Sequence, residues 1–152
     1  MSHGLRWVPE HYVAYWVNQT SRLLVRAHNL RLRALGLTMA HIPLLSVLAT
    51  RGPLSQKELT ATAGVEQPSM AEMLSRLESE GLLRRKQQKE DKRVRTYELT
   101  PEAERRLAKA QAALLIGERE SLVGFTEDEK ALFRQFLQRM EANLRSPPST
   151  EP

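Results

Sequence analysis

The 152-residue chain has no cysteine, which excludes disulfides, thiolate metal sites and cysteine-based redox sensing and suits a reducing compartment. Aromatic residues are scarce, 5% of the chain against a hydrophobic fraction of 41%. The core must therefore be mainly aliphatic, and one domain's worth of chain is long enough to bury it. Long apolar runs are also missing. None approaches the roughly 20 residues a membrane-spanning helix needs, and the first residues carry no signal-peptide apolar segment. The expectation is a soluble, cytoplasmic protein with no membrane partner. The four histidines, His3, His11, His28 and His41, show no HExxH or other metal-ligand spacing. Neither a phosphate-binding glycine loop nor a serine in a nucleophile elbow is present. A non-enzymatic protein with no cofactor and no metal is expected.

What the chain has in excess is positive charge. Lys and Arg number 23 against 18 Asp and Glu, giving a net +5 and a pI near 9.9. That favours polyanionic partners without requiring one, so the placement of the charge matters more than its size. From Arg84 to Arg95 there are seven basic residues (Arg84, Arg85, Lys86, Lys89, Lys92, Arg93, Arg95) and two acidic ones, Glu90 and Asp91. The flanks, Leu82 to Gln88 and Val94 to Leu99, pattern as two antiparallel strands, which makes this segment a basic hairpin.

Ahead of the hairpin, Ser55-Gln56-Lys57-Glu58 is a capping box and predicts a helix from near Gln56. Leu59 and Ala63 form its apolar face, and Gly64 permits a sharp turn. A second helix is expected from near Pro68, a residue that costs nothing at a first helical position. Met70, Met73, Leu74 and Leu77 recur at helical spacing before Gly81 ends the run. The opposite face carries Gln67, Ser69, Glu72, Ser75 and Arg76, side chains able to address base edges and phosphates.

A helix-turn-helix followed by a basic hairpin is a winged helix. Its second helix suits the major groove of double-stranded DNA, and its wing arginines suit the adjacent minor groove. The candidate DNA contacts are Gln67, Ser69, Met70, Met73 and Arg76 on the helix and Arg84, Lys89, Asp91, Lys92, Arg93 and Arg95 on the wing. Met70 and Met73 are either core residues or, for Met70, an apolar contact to a thymine methyl. Arg93 is either a DNA contact or a solvated charge. Arg84 and Arg85 alternate sides of a strand, so at most one faces phosphate well and the other is placed to pair near Glu78 or Glu80. The alternative reading is a winged helix used for protein contact or RNA binding. Seven wing cations weigh against the first, and the lack of aromatic platforms beyond Tyr97 weighs against the second.

Helices also flank this unit. An amphipathic helix is expected from Glu10 to about Leu35, with Val13, Trp16, Val17, Thr20, Leu24, Ala27 and Leu30 along one stripe and Gly36 as its stop. Thr38 is a candidate N-cap for a helix through Ala49, in which Pro43 predicts a kink or a late start. Thr100-Pro101-Glu102 opens a helix running towards Ser121. Thr126-Glu127-Asp128-Glu129 is a second capping box, and the last helix carries Leu132, Phe133, Phe136, Leu137, Met140 and Leu144. The fold expected is mostly α with a small β-hairpin wing. Residues 37–100 form the winged helix-turn-helix, 1–36 and 101–146 are dimerisation helices, and 147–152 are a disordered tail. The terminal stripes exceed what the winged helix can cover, so a two-fold interface is expected through Trp7, Val8, Leu114, Leu132, Phe133, Phe136, Leu137 and Met140.

Three passages resemble the MarR family of bacterial transcriptional regulators. Leu37-Thr38-Met39-Ala40 resembles the family's entry into the second helix. Arg76-Leu77-Glu78-Ser79-Glu80-Gly81-Leu82-Leu83 followed by Arg85 resembles its RLExxGLxxR passage at the end of the recognition helix. Asp91-Lys92-Arg93 with Leu99-Thr100 resembles its wing signature. The resemblance covers nearly the whole chain. It implies a homodimer on a pseudo-palindromic operator, usually a repressor, released by a small phenolic or aromatic-acid ligand. It makes Arg93 the minor-groove arginine and Asp91 the acid that orients the wing. The absence of cysteine separates the chain from thiol-sensing branches of the family. A ligand pocket is expected where the first, second and fifth helices meet the DNA-reading unit, with His11, Tyr12, Tyr15, Trp16, Gln19, Met39 and His41 as candidates. Each of these is equally well read as ordinary core or rim.

Overall fold

Helix starts are fixed by side chains that satisfy the free N–H groups of the first turn. In the computed structural model, which describes residues 8–63, 67–87 and 95–145, the Ser55 N–H donates to Glu58 Oε2 at 2.7 Å and the Glu58 N–H donates to Ser55 Oγ at 3.3 Å. This capping box opens α3 (Gln56–Ala63). The described residues fall into two units divided after Gly117.

The first unit begins with a short 3-10 turn (Pro9–His11) and α1 (Val13–Leu32), closed by a second 3-10 turn (Arg33–Leu35). Then α2 (Ile42–Arg51) starts late. Residues 39–41 form a turn in which the His41 N–H donates to the Thr38 carbonyl, so Pro43 falls in the first helical turn, where no hydrogen bond is lost. Thr38 is accordingly not the N-cap. A two-residue strand, β1 (Leu54–Ser55), precedes α3, and α4 (Gln67–Ser79) follows it.

At the end of α4, Gly81 sits at φ 72°. The Leu82 N–H reaches the Leu77 carbonyl at 2.9 Å and the Gly81 N–H reaches the Glu78 carbonyl at 3.0 Å, the paired bonds of a Schellman stop. The wing strands β2 (Leu83–Gln87) and β3 (Arg95–Leu99) pair antiparallel with Arg84 opposite Glu98 and Arg85 opposite Tyr97. Strand β3 lies in the middle, because β1 adds to its other edge with Leu54 opposite Tyr97. Two residues are too short to carry a sequence pattern, and β1 was not expected.

The Thr100 hydroxyl donates to the Gly81 carbonyl at 2.8 Å and accepts from the Ala103 N–H at 3.2 Å. One side chain thus caps α5 (Pro101–Ser121) and joins it to the end of α4. The core is aliphatic, as the composition required. Leu32, Leu44, Leu45, Leu59, Met70, Leu74, Leu77 and Leu82 are fully buried, and Leu107 and Ala110 of α5 join them. Burial of each such leucine contributes about 1.5–3 kcal/mol.

Along α1 only His28 and Leu32 are buried. Val13, Trp16, Leu24 and Leu30 of the expected stripe stay exposed. His28 of α1 lies against Gly117 of α5. In the second unit the Thr126 N–H donates to Glu129 Oε2 at 2.7 Å and the Glu129 N–H to Thr126 Oγ1 at 3.3 Å, opening α6 (Glu127–Arg145). No residue of α6 is buried, and Leu132, Phe133, Phe136 and Leu137 are 39–49% exposed. Among the described residues no helix is long and apolar enough to cross a membrane, and no cluster of potential metal ligands occurs.

Candidate nucleic-acid interface

The recognition helix divides cleanly between two surroundings. Met70, Leu74 and Leu77 face the core with no exposure, Met73 is half-buried against it, and Ser69, Glu72, Ser75 and Arg76 face outward. This corrects the expectation for Met70: its thioether is enclosed by the core and cannot meet a thymine methyl. Gln67 opens the helix, but its side chain lies outside the described residues. Arg76 is exposed and pairs with Glu80 one turn on at 3.0 Å. So exposed a pair adds little stability, and the guanidinium can exchange it for a phosphate.

The base of the wing is tied down by its own charges. Arg85 donates to Glu78 at 2.6 Å and lies 5.5 Å over the Tyr97 ring, so the first wing strand is fastened to the C-terminal turn of α4. On the other face Glu98 receives Lys86 at 2.8 Å and is also paired with Arg84. Those hydrogen bonds, the one from Lys86 foremost, hold the Glu98 carboxyl below its ordinary pKa. Arg84, expected among the DNA contacts, pairs with Glu98 directly across the strand pair and keeps an exposed side chain. Each of the three cations of β2 thus has a carboxylate partner at the base of the wing. Lys89, Asp91, Lys92 and Arg93 lie outside the described residues, and Arg95 is exposed at the start of β3.

Reasoning along the sequence missed the anchoring role of Glu98. The hairpin register alone, which sets Arg84 opposite it, could have revealed the pair.

His41 sits at the head of α2, buried, with Nδ1 accepting the Thr38 N–H at 3.3 Å. Burial pushes its pKa down and the nearby Arg76 charge pushes it further, against a smaller opposing effect of Glu80. It is thus held neutral beside the recognition helix.

The seven ligand candidates do not come together. Tyr15 and Trp16 meet edge to face at 5.3 Å, Gln19 donates to the Tyr15 hydroxyl at 3.2 Å, and the Trp16 indole donates to the Glu10 carbonyl at 2.9 Å, all near the start of α1. His11 and Tyr12 flank them, exposed. Met39 and His41 belong to the other end, where the Met39 N–H donates to Asn29 Oδ1 at 2.7 Å. Tyr15 and Asn29 are 14 residues apart on one helix, roughly 21 Å. A shallow, open depression instead runs along the second half of α1, bordered by Arg22, Val25, Arg26, Asn29, Leu30 and Arg33, none of them expected. Of the expected dimer contacts, Trp7 lies outside the described residues, Val8 and Met140 are half-buried, and Leu114 packs on its own core.

An outward polar face on the second helix of a helix-turn-helix, followed by an antiparallel wing fastened to that helix, defines a winged helix-turn-helix DNA-binding protein. The family model for the MarR family matches residues 37–94. An uncharacterized HTH-type transcriptional regulator of Bacillus subtilis, YwoH, is 34% identical over 139 residues, covering 89% of this chain and all of that protein. The crystal structure of the transcriptional regulator PA3341 is 38% identical, covers 88% of this chain and 98% of its own, and superposes with a TM-score of 0.73. A mutant MarR from E. coli, crystallised in complex with operator DNA, shares the fold at a TM-score of 0.77 and 22% identity, over 84% of this chain and 92% of that one. The chain belongs to the MarR family, whose members are transcriptional regulators.

Proposed function

We propose that this regulator is a homodimeric repressor that binds a pseudo-palindromic operator and lets go when a small aromatic ligand binds. The observation that carries the DNA-reading part is the recognition helix itself. One face is locked in the core, the opposite face presents Ser69, Glu72, Ser75 and Arg76, and Arg85 ties the wing to the same helix through Glu78. Ser69, Arg76 and the Gln67 position read the major groove. Lys89, Lys92, Arg93 and Arg95 hold phosphates and the adjacent minor groove, with Asp91 orienting the tip. Segments 1–36 and 101–146 pair two copies, a reading supported by the exposed apolar residues of α1 and α6. Pairing sets the two recognition helices about one DNA turn, roughly 34 Å, apart, and a ligand that alters this separation releases the operator. The ligand reading rests on the family resemblance. DNA as the target makes the cytoplasm the place of action.

The test is binding to duplex fragments retained from genomic DNA. If about six or more phosphates are neutralised, affinity falls about 10³-fold or more between 50 and 200 mM salt. Arg93→Ala weakens operator binding while leaving the dimer intact. Salt-independent binding, or full affinity in the variant, overturns the reading.

A further inference from the structure

Strand pairing sorts the charges at the base of the wing by face. Leu83 stands opposite Leu99 and Arg85 opposite Tyr97 on the face that meets the core, so Arg84, Lys86, Thr96 and Glu98 share the other face. There the Glu98 carboxylate accepts from Lys86 Nζ at 2.8 Å and is paired with the Arg84 guanidinium. Arg84 and Lys86 are exposed over half of their side chains, so Glu98, and not burial, is what restrains their charged ends.

This cluster differs from the Arg76–Glu80 pair on the recognition helix. The Glu80 side chain is 34% exposed, and water can take the place of Arg76 when that guanidinium turns to a phosphate. The Glu98 side chain is 13% exposed and serves two cations at once. If both left for phosphates, a largely covered carboxylate would lose its partners with little water to replace them. Its hydrogen bonds from Lys86 and Arg84 also hold its pKa below the ordinary value, so it stays charged at neutral pH. Affinity for DNA of unrelated sequence is almost wholly electrostatic, and each added phosphate contact raises it on every sequence. Cations that read no base therefore erode selectivity wherever they reach phosphate.

We propose that Glu98 sets the selectivity of the wing: it occupies Arg84 and Lys86, keeps them from phosphate, and so limits binding to unrelated duplex. It is a positioning residue, acting through the two cations. This rests on the reading of the wing as a DNA-binding element and adds to it the residue that restrains that element. Lys89, Lys92, Arg93 and Arg95 keep the phosphate and minor-groove contacts given to them above, and the base of the wing adds no sequence-blind affinity of its own.

Glu98→Gln tests the proposal, because it keeps the shape of the side chain and removes its charge. Fluorescence anisotropy follows binding to a random-sequence duplex and to a retained genomic fragment between about 50 and 200 mM salt. At the lower salt the variant is expected to bind the random duplex about 10-fold more tightly than wild type, with the slope of log affinity against log salt steeper by about 0.9 for each cation released. The ratio of genomic-fragment to random-duplex affinity is expected to fall about 3-fold or more, because base contacts from α4 fix the register of the specific complex while unrelated DNA can shift to meet the added charge. Adding Arg84→Gln and Lys86→Gln to Glu98→Gln should restore the wild-type slope, which a general loosening of the wing would not do. An unchanged slope, an unchanged ratio or weaker binding in Glu98→Gln overturns the proposal. So does a triple variant whose slope falls below wild type, since the two cations would then already meet phosphate. If Glu98→Gln fails to fold, Glu98→Thr, uncharged and suited to a strand, is judged by the same slopes. Wild-type binding that ignores salt defeats the DNA reading itself, whereas salt-dependent binding that Glu98→Gln leaves unaltered defeats only the role of Glu98.

Discussion

Gly117 offers a sharp test of how the first and fifth helices fit. A Cβ at this position would lie 2.8 Å from His28 Nε2, 2.9 Å from His28 Cδ2 and 3.0 Å from Arg31 Nε, where ordinary contacts fall at 3.4–4 Å. The His28 ring is buried and has little room to retreat. Two effects compete in Gly117→Ala. Alanine in a helix interior gains about 1 kcal/mol over glycine. Overpacking a buried contact costs about 1–3 kcal/mol. The contact wins, leaving a net loss of about 1 kcal/mol, which in a chain of this length lowers Tm by about 3 °C. Thermal melts at one fixed protein concentration measure it, since association would otherwise shift Tm. His28→Ala should relieve the added methyl, so the double variant should be more stable than the sum of the singles by about 1 kcal/mol. A higher Tm in Gly117→Ala, or strictly additive effects, would refute the close approach of α5 to α1.

Two further outcomes are expected. Phe136→Asp removes a half-exposed ring from the α6 stripe and puts a carboxylate in each half of the proposed interface. With about 1 kcal/mol of apolar burial lost per copy and the desolvation of two charges added, the dimer Kd should rise about 10³-fold or more. Light scattering that still finds a full-strength dimer would remove α6 from the interface. His41 is less basic in the folded chain than its ordinary value near 6.5, so the unfolded chain takes up the proton first. Its contribution is complete above about pH 6.5 and is lost as pH falls through the folded value. His41→Gln should flatten the dependence of denaturant stability on pH below about 6.5, and an unchanged slope would show that other groups set it.

Local signals in the sequence carried most of the architecture, because each acts over a few residues. Ser55 with Glu58 and Thr126 with Glu129 cap α3 and α6 as their spacing predicts, Gly81 stops the recognition helix, and Arg85 finds Glu78. Pro43 gave two options, a kink or a late start, and the turn at 39–41 resolves them in favour of the late start. The family itself was legible in the passages Arg76 to Arg85 and Asp91 to Thr100.

What tertiary structure alone decided concerns partners far apart in the chain. A helical period marks Met70 as apolar without saying whether it turns to the core or to a groove, and packing against Leu74 and Leu77 enclosed it. Counting wing cations could not show that Glu98 and Glu78 engage three of them, since that depends on strand register and on where α4 ends. The ligand candidates separate within one chain for a similar reason: Tyr15, Trp16 and Gln19 stand near the start of α1, whereas Met39 is hydrogen-bonded to Asn29, 14 residues further along that helix and roughly 21 Å away. Short-range hydrogen bonding and periodicity are written in adjacent residues, whereas charge pairing and cavities depend on which distant residues the folded backbone brings within a few ångströms of each other.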